Sequence, residues 1–300
     1  MRVRFWAALL SSGVVCGAAA ADETAAVPKA PPVAPTSTLR LHAVIATGAK
    51  PMREAIAWTI SRLDGGVGPQ AVVTQSAAAP QLDLAPGRYA VTARYGDTEV
   101  RDEIVVGAAE SAHVVNLDAG HVRFGMIPHV GAPVIAADVI WEVYRYTKSG
   151  PSERNRVAVV VAPVHQFVLP AGHYLVRARY DASTAELVVP VAAGHSYKYT
   201  VNLYAGKVAL SAVADPAAAI AGDVAWEIQR AKPNAAGERE VIAARVGSTG
   251  PLLLREGRYV AVARADGLAG ETPFEVKSGN SQKIKVVLRP VEAAVTAPGG

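Results

Sequence analysis

One sequence unit of about 85 residues occurs three times in this 300-residue chain, and this repetition limits the fold more than any other feature. A tryptophan recurs at spacings of 83 and 85 residues, at Trp58, Trp141 and Trp226. A tyrosine recurs at a spacing of 85 residues, at Tyr89, Tyr174 and Tyr259. This period is too long for a solenoid repeat and has the size of a small domain. The sequence therefore predicts three homologous domains, at 39–120, 121–206 and 207–291.

Within each repeat, apolar and polar side chains alternate with a period of two. In repeat 2, Tyr174, Val176 and Ala178 share one face, whereas Arg177 and Arg179 share the other. This alternation is typical of antiparallel strands with one buried face. Repeat 2 alone predicts seven strands, near 121–128, 138–146, 156–163, 165–169, 173–180, 184–190 and 196–203. We therefore expect an all-β chain of three tandem immunoglobulin-like antiparallel β-sandwiches.

The recurring aromatic residues are predicted to form the structural core of each repeat. A tryptophan and a tyrosine at the same place in every copy act more often as packing anchors than as ligand platforms. The junctions, around Asn116 and Asn202, contain almost no linker. They therefore predict a stiff end-to-end rod.

The amino terminus has the pattern of an export signal. Residues 1–21 contain a basic start, a short apolar run and a small-x-small cleavage site that ends at Ala21. A lipid attached to Cys16 is the minority alternative, because Val15 is bulky for the position before a lipidated cysteine. Cleavage after Ala21 would remove the only cysteine in the chain. We predict a Pro-rich tether at 22–38, a flexible tail at 292–300 and a periplasmic or secreted location, with no integral membrane span after cleavage.

Composition and missing motifs exclude several classes of function. Hydrophobic residues make up 51% of the chain, which excludes a disordered protein. The formal net charge of +4 comes with no basic cluster, so no nucleic-acid partner is expected. No nucleophile elbow, zinc-binding helix, phosphate-binding loop or calcium loop occurs. We therefore predict no enzyme activity, no catalytic residues, no metal site and no cofactor.

A strand–turn–strand motif, L-x-x-G-x-Y-x-V-x-A, occurs once per repeat, at 84–93, 169–178 and 254–263, with Ala261 in place of the valine. This motif resembles the corresponding element of carboxypeptidase-regulatory, PEGA and Cna-B-like domains in tandem-repeat exported bacterial proteins. The resemblance implies an extracytoplasmic scaffold or recognition module. Cna-B-like domains often carry a Lys–Asn isopeptide bond, but these repeats show no consistent set of residues for one.

Repeat 2 differs from the other two in composition. It holds five of the seven histidines and seven of the ten tyrosines. Alternation places Tyr144 and Tyr146 on the outer face, near Arg177 and Arg179, as an interface or a sugar-stacking platform. An ordinary sheet face with cross-strand pairs is the simpler interpretation. We predict a structural and recognition protein of the bacterial envelope that binds a protein partner through sheet faces or edges; the alternative is a carbohydrate-binding accessory module that acts through repeat 2 and has a glycan as its partner.

Overall fold

The computed structural model describes residues 36–64, 70–215, 220, 222–247 and 250–291. These residues form 21 β-strands and one 3-10 turn, Glu153–Asn155, with no α-helix in the described ranges. Repeat 1 contains β1 (Ser37–Val44), β2 (Ile56–Arg62), β3 (Gln70–Ala77), β4 (Gln81–Leu84), β5 (Gly87–Tyr95), β6 (Thr98–Val106) and β7 (Ser111–Asn116). Repeat 2 contains β8 (Ala119–Ile127), β9 (Val139–Arg145), β10 (Arg156–Ala162), β11 (Val164–Pro170), β12 (Gly172–Tyr180), β13 (Ser183–Val191) and β14 (Ser196–Asn202). Repeat 3 contains β15 (Ala205–Ala214), β16 (Ala225–Arg230), β17 (Val241–Val246), β18 (Leu252–Arg255), β19 (Gly257–Ala265), β20 (Leu268–Val276) and β21 (Ser281–Pro290).

Every repeat uses one pairing scheme, which confirms the predicted all-β sandwich class. In repeats 1 and 2 a four-stranded sheet faces a three-stranded sheet, with orders β3-β2-β5-β6 and β4-β1-β7 in repeat 1. In repeat 3 a short pairing between β20 and β21 joins the two sheets into one of seven strands. All pairs are antiparallel except that of the first and last strand of each repeat. Side-chain alternation carries no strand direction, so the sequence could not indicate this parallel pair.

The predicted leader and most of the predicted tether lie outside the described residues, as does the tail at 292–300. The tether was predicted to reach residue 38, whereas β1 begins at Ser37. Ser37 is buried, and its hydroxyl donates a hydrogen bond to the carbonyl of Ala109. The last two tether residues therefore belong to the first strand, because their backbone pairs with β4.

A tryptophan from the second strand of each repeat fills the space between the sheets. Trp58 and Trp141 are fully buried, and their indole N–H groups donate to the carbonyls of Ala77 and Ala162 at 2.9 Å. Trp226 is 5% exposed. Burial of a side chain this large contributes about 2–3 kcal/mol per repeat.

A tyrosine from the fifth strand completes each core in the same way. The three tyrosines are almost fully buried, and each hydroxyl donates to the carbonyl four residues earlier, at 2.7–2.8 Å. An arginine from the end of the second strand lies over each ring at 5.6–5.8 Å from its centre. The pairs are Arg62 and Tyr89, Arg145 and Tyr174, and Arg230 and Tyr259. The anchor therefore combines apolar burial, a satisfied hydroxyl and a cation–π contact.

The chain passes from one repeat to the next with no free linker. The Ala119 N–H donates to the carbonyl of Ile45 in repeat 1, and its carbonyl accepts from the Gly194 N–H in repeat 2. Ala205 bonds in the same way to Pro128 and Gly279 at the second junction. Each junction alanine is therefore held by backbone hydrogen bonds on both sides. Across the described residues, no helix has the length and apolar character that a membrane span requires.

Candidate functional site

The outer face of the four-stranded sheet of repeat 2 carries the residues singled out from the sequence. Glu142 and Tyr144 lie on β9, opposite Arg177 and Leu175 of β12. Arg177 in turn lies opposite Glu186 of β13. The sheet register therefore brings Tyr144, Arg177 and Arg179 into one polar surface.

Tyr144 lies on this face but is covered by its neighbours. Only 4% of the residue is exposed, and the Arg177 guanidinium lies 5.7 Å from the ring centre. Arg177 is itself held in place, because its Nε donates to the Glu186 carboxylate at 2.7 Å. Burial raises the pKa of the Tyr144 hydroxyl, and the Glu142 carboxylate adds to the shift. Tyr144 thus offers almost no ring surface for stacking on a ligand, unlike the open platform predicted from alternation.

Arg179 and Glu142 form an ion pair at the centre of the face. Arg179 Nη2 lies 3.0 Å from Glu142 Oε1, while Glu142 Oε2 is buried with no hydrogen-bond partner among the described residues. Repeat 3 has the same pair, with Arg264 Nη1 at 3.3 Å from Glu227 Oε1. There Gln229 donates to the second carboxylate oxygen at 2.8 Å, in the place that Tyr144 has in repeat 2. One of the four predicted residues, Arg179, therefore belongs to an ion pair that recurs in repeat 3.

Tyr146 is the member of the predicted set with an open ring. It follows the end of β9, is 50% exposed, and its backbone N–H donates to the carbonyl of His173. Tyr146 is therefore accessible, whereas Arg177 and Arg179 are engaged in ion pairs. Within the described ranges no group of three or more histidine, cysteine or acidic side chains is placed to hold a metal ion. This face can make contacts by hydrogen bonding, charge and apolar packing.

A second set of contacts, at the junction of repeats 1 and 2, was not predicted. The β5–β6 hairpin tip of repeat 1 holds both backbone groups of Val168 on β11: the hydroxyl of Thr98 donates to the Val168 carbonyl at 2.9 Å, and Asp97 accepts from the Val168 N–H at 3.4 Å. Thr98 is fully buried, and the Val168 side chain packs into the core of repeat 1. We call this arrangement, in which a hairpin tip grips one residue of the next repeat, the clamp.

The same clamp holds repeats 2 and 3 together. The Ser183 hydroxyl donates to the Leu253 carbonyl at 2.9 Å, and Asp181 accepts from the Leu253 N–H at 2.7 Å. Arg245 of repeat 3 adds an ion pair to Asp181. Leu253 packs against the core of repeat 2, as Val168 does against that of repeat 1. Two junctions therefore use one design with different side chains.

Electrostatics distinguishes the clamp carboxylate at the first junction. Burial raises the pKa of Asp97, although the Val168 N–H, His165 and Arg94 act in the opposite direction. The acid is therefore held in a site that disfavours its charged form.

Sequence signals for the clamp do exist in the repeats. The gripped position is apolar in repeats 2 and 3 but is the exposed Asp83 in repeat 1, the first of the three. The gripping position is Thr98 or Ser183 in repeats 1 and 2 but Leu268 in repeat 3, the last of the series. Comparing the copies at these two positions would have indicated the contact.

One comparison with family models supports a tandem-repeat protein. The model of the Rhizobiales growth-associated tandem repeat domain matches residues 207–288, which is repeat 3. No curated protein matches the chain.

Several solved structures are similar in a general way. The Bacillus anthracis TIE protein is 15% identical with a TM-score of 0.26, and covers 85% of this chain and 50% of its own, so this chain spans half the length of that protein. A streptococcal ancillary pilin is 12% identical with a TM-score of 0.33 over 85% of this chain and 100% of its own. The minor pilin of Streptococcus agalactiae is 12% identical with a TM-score of 0.31 over 60% of this chain and 100% of its own. At these scores the similarity carries no information on ligand or activity.

Proposed function

We propose that this chain is a non-enzymatic structural and recognition protein of the bacterial envelope, which holds three sandwich domains in fixed order and presents repeat 2 to a protein partner. The observation that carries the proposal is the clamp, which at both junctions joins a hydroxyl and a carboxylate of one hairpin tip to the two backbone groups of one residue in the next repeat. Neighbouring domains on flexible linkers move independently, whereas a buried contact at each junction suits a spacer that holds a surface at a set position. The domains of the proposal are 39–120, 121–206 and 207–291.

Partner binding is assigned to repeat 2 because its outer face combines the open ring of Tyr146 with exposed apolar side chains on the neighbouring strands. Aromatic and arginine side chains are enriched where proteins bind one another. The test is a photo-crosslinking amino acid placed at Tyr146 in the full chain, in its native envelope. We expect one specific crosslinked envelope protein. The matched control is the same label at Tyr204, a tyrosine of similar exposure near the second junction. Equal crosslinking from both positions would contradict a binding surface around Tyr146.

Carbohydrate binding is the second candidate, and the half-exposed ring of Tyr146 is the observation that favours it. Because the Arg177 guanidinium already lies over the ring of Tyr144, a sugar would stack on the ring of Tyr146. Glycan binding that is lost in Tyr146→Ala and retained in Tyr144→Phe would favour this candidate over a protein partner.

We infer that the protein is exported, with cleavage after Ala21. Amino-terminal sequencing of the mature protein should then begin at Asp22. A lipid on Cys16, or a chain that stays in the cytoplasm with its leader intact, would contradict this cleavage.

Repeats 1 and 2 share the motif of repeat 3, so we propose that all three belong to the domain type that matches residues 207–288. The relation to carboxypeptidase-regulatory, PEGA and Cna-B-like domains remains a proposal that rests on the same motif. A growth-associated role follows from the name of the matching domain, and a deletion strain should grow more slowly than its parent. Wild-type growth of the deletion strain would contradict that role.

A further inference from the structure

The edge strand β10 of repeat 2 is unusual among the sheet edges of this protein. Its residues from Val157 to Ala162 are all valine or alanine, with no charge, proline or hydroxyl. It pairs with β9 on one side, and no other described strand pairs with its second side. Natural proteins usually protect such edges with charges, prolines or bulges, because an unpaired edge is a template for another strand. The register of β10 with β9 shifts between Arg156 and Ala158, and the segment from Ala158 to Ala162 pairs regularly.

The corresponding edge strands carry polar or charged side chains. At the two outward-facing positions where β10 has Val159 and Val161, β3 of repeat 1 has Thr74 and Ser76. At the same two positions β17 of repeat 3 has Ala244 and Val246, and Arg245 lies between them. At the opposite edge of the same sheet, β13 carries Glu186 and Pro190. Among these four strands, only β10 has no charged or polar side chain from its second residue to its last.

Exposed apolar side chains adjoin the free edge of β10. Val159 is 47% exposed and Val161 is 58% exposed. Ile140, which lies opposite Val161 on β9, is 37% exposed. The three side chains share the outer face and form an apolar strip at the edge of the sheet.

We propose that β10 pairs with β10 of a second copy of this chain, in an antiparallel two-fold arrangement that joins two four-stranded sheets into one of eight. Centring the pairing on Val160 places Val159 opposite Val161 of the other copy, and Ala158 opposite Ala162. Residues opposite one another in an antiparallel pair lie on the same face, so the exposed valines meet. The inference goes beyond the proposed partner binding, because it adds pairing between two copies of the chain along this edge.

Charge and symmetry favour a second copy over a foreign strand. The strand has no charge between Val157 and Ala162 with which to select an oppositely charged partner. In the two-fold register Arg156 lies opposite position 164 of the other copy, so the two guanidinium groups do not meet. Ile140, Val161 and Val159 of both copies would form one apolar patch across the axis, and the same surface on both subunits is what a two-fold interface requires.

The test is sedimentation equilibrium of the purified full chain over a range of concentrations. We expect a reversible dimer for the wild type, and a dissociation constant raised about 100-fold or more in Val159→Lys and Val161→Lys, because each lysine would face an apolar surface twice per dimer. Thr74→Lys and Ser76→Lys, at the matched positions of β3, should leave the dimer unchanged. All four positions are exposed, so unchanged thermal unfolding shows that the variants fold.

A crosslink gives an independent readout of the register. In a Cys16→Ser background, Val160→Cys would lie opposite itself across the two-fold axis, with Cα atoms about 5 Å apart, within disulfide range. Oxidation should give a covalent dimer, whereas Gln75→Cys, its counterpart on β3, should give none. A wild type that stays monomeric at every concentration, a dimer that the β10 lysines leave intact, or absence of the Val160→Cys crosslink would overturn the inference. Loss of the envelope crosslink from Tyr146 in a chain that still dimerises would instead contradict the proposed partner binding alone.

Discussion

All three repeats contain the same hairpin, between the fifth and sixth strands. Its contacts at the two junctions differ from those at the carboxyl end of repeat 3. In repeats 1 and 2 the hairpin tip grips the next repeat through a hydroxyl, that of Thr98 or Ser183. In repeat 3 the equivalent residue is Leu268, and the chain itself pairs with the hairpin at Pro290 and through the Val291 N–H. At the two junctions the hairpin tip forms a polar clamp on the next repeat. In repeat 3 the last strand continues and pairs with the hairpin, which joins the two sheets of the sandwich.

The residues that leave each repeat explain this difference. At the junctions Asn116 and Asn202 accept hydrogen bonds from the backbone two residues later, at Asp118 and Tyr204, whose φ values are 47° and 51°. This turn directs the chain into the next sandwich. Repeat 3 has Val287 at the asparagine position, so no such turn forms and β21 continues to Pro290. The comparison therefore assigns the connection between repeats to a few residues outside the common core.

The largest effect is expected from a charge at the gripped position. Val168→Asp would bury a carboxylate in the core of repeat 1 and should lower the free energy of unfolding by about 3 kcal/mol. The equivalent position in repeat 1 is the exposed Asp83, which lies in neither clamp, so Asp83→Val should change the free energy of unfolding by less than about 0.5 kcal/mol. Calorimetry of both full-length variants measures the contrast. Equal effects at the two positions would mean that the junction adds nothing to repeat 1.

The close approach of backbone at the junction glycines should give the next largest effect. A Cβ on Gly206 would lie 2.6 Å from the Lys277 carbonyl oxygen and 2.9 Å from that of Asn280, with no flexible side chain to move away. Gly206→Ala should therefore cost about 1–3 kcal/mol in thermal unfolding. Gly107→Ala, which meets no atom within 4 Å, is the control and should have little effect.

Removal of one clamp hydroxyl should have a smaller effect. Thr98→Val keeps the shape of the side chain but leaves the buried Val168 carbonyl without its donor, at a cost of about 1–2 kcal/mol in denaturant unfolding. Ser183→Ala should behave alike at the second junction. Leu268→Ser places the clamp residue in repeat 3, where the hairpin tip grips neither of the other repeats, and should bring no stabilisation. A gain there would show that the hydroxyl acts within its own repeat.

The smallest effect is a pH dependence at the first junction. Because burial raises the folded-state pKa of Asp97 above its usual 3.8, its contribution to stability is complete below that value and is lost as the pH rises through the folded pKa. Asp97→Asn should remove this slope from a pH series of unfolding midpoints. An unchanged slope in the variant would assign the dependence to another group.

The strands and the fold class could be predicted from the sequence because the alternation of apolar and polar side chains is a local signal. The fourth strand of repeat 2 was predicted at 165–169 and runs from Val164 to Pro170. Pairing direction is not local, so the parallel neighbours β1 and β7 were missed.

The candidate surface shows the same limit. Alternation places Tyr144 on the outer face, but whether its ring is open depends on Arg177, a residue 33 positions away that the sheet register brings alongside. The clamp joins residues 70 positions apart across two repeats, and its hydroxyls look like ordinary strand residues in a single copy.

The proposed function requires that the clamps hold the three repeats in one fixed arrangement. Pulsed dipolar spectroscopy between spin labels at Val105→Cys in repeat 1 and Val246→Cys in repeat 3, both exposed positions, measures this most directly when Cys16 is absent. We expect a single narrow distance distribution that broadens when Val168→Asp and Leu253→Asp break the clamps. A distribution that is already broad in the otherwise unaltered chain, or one that the two aspartates leave narrow, would contradict the claim.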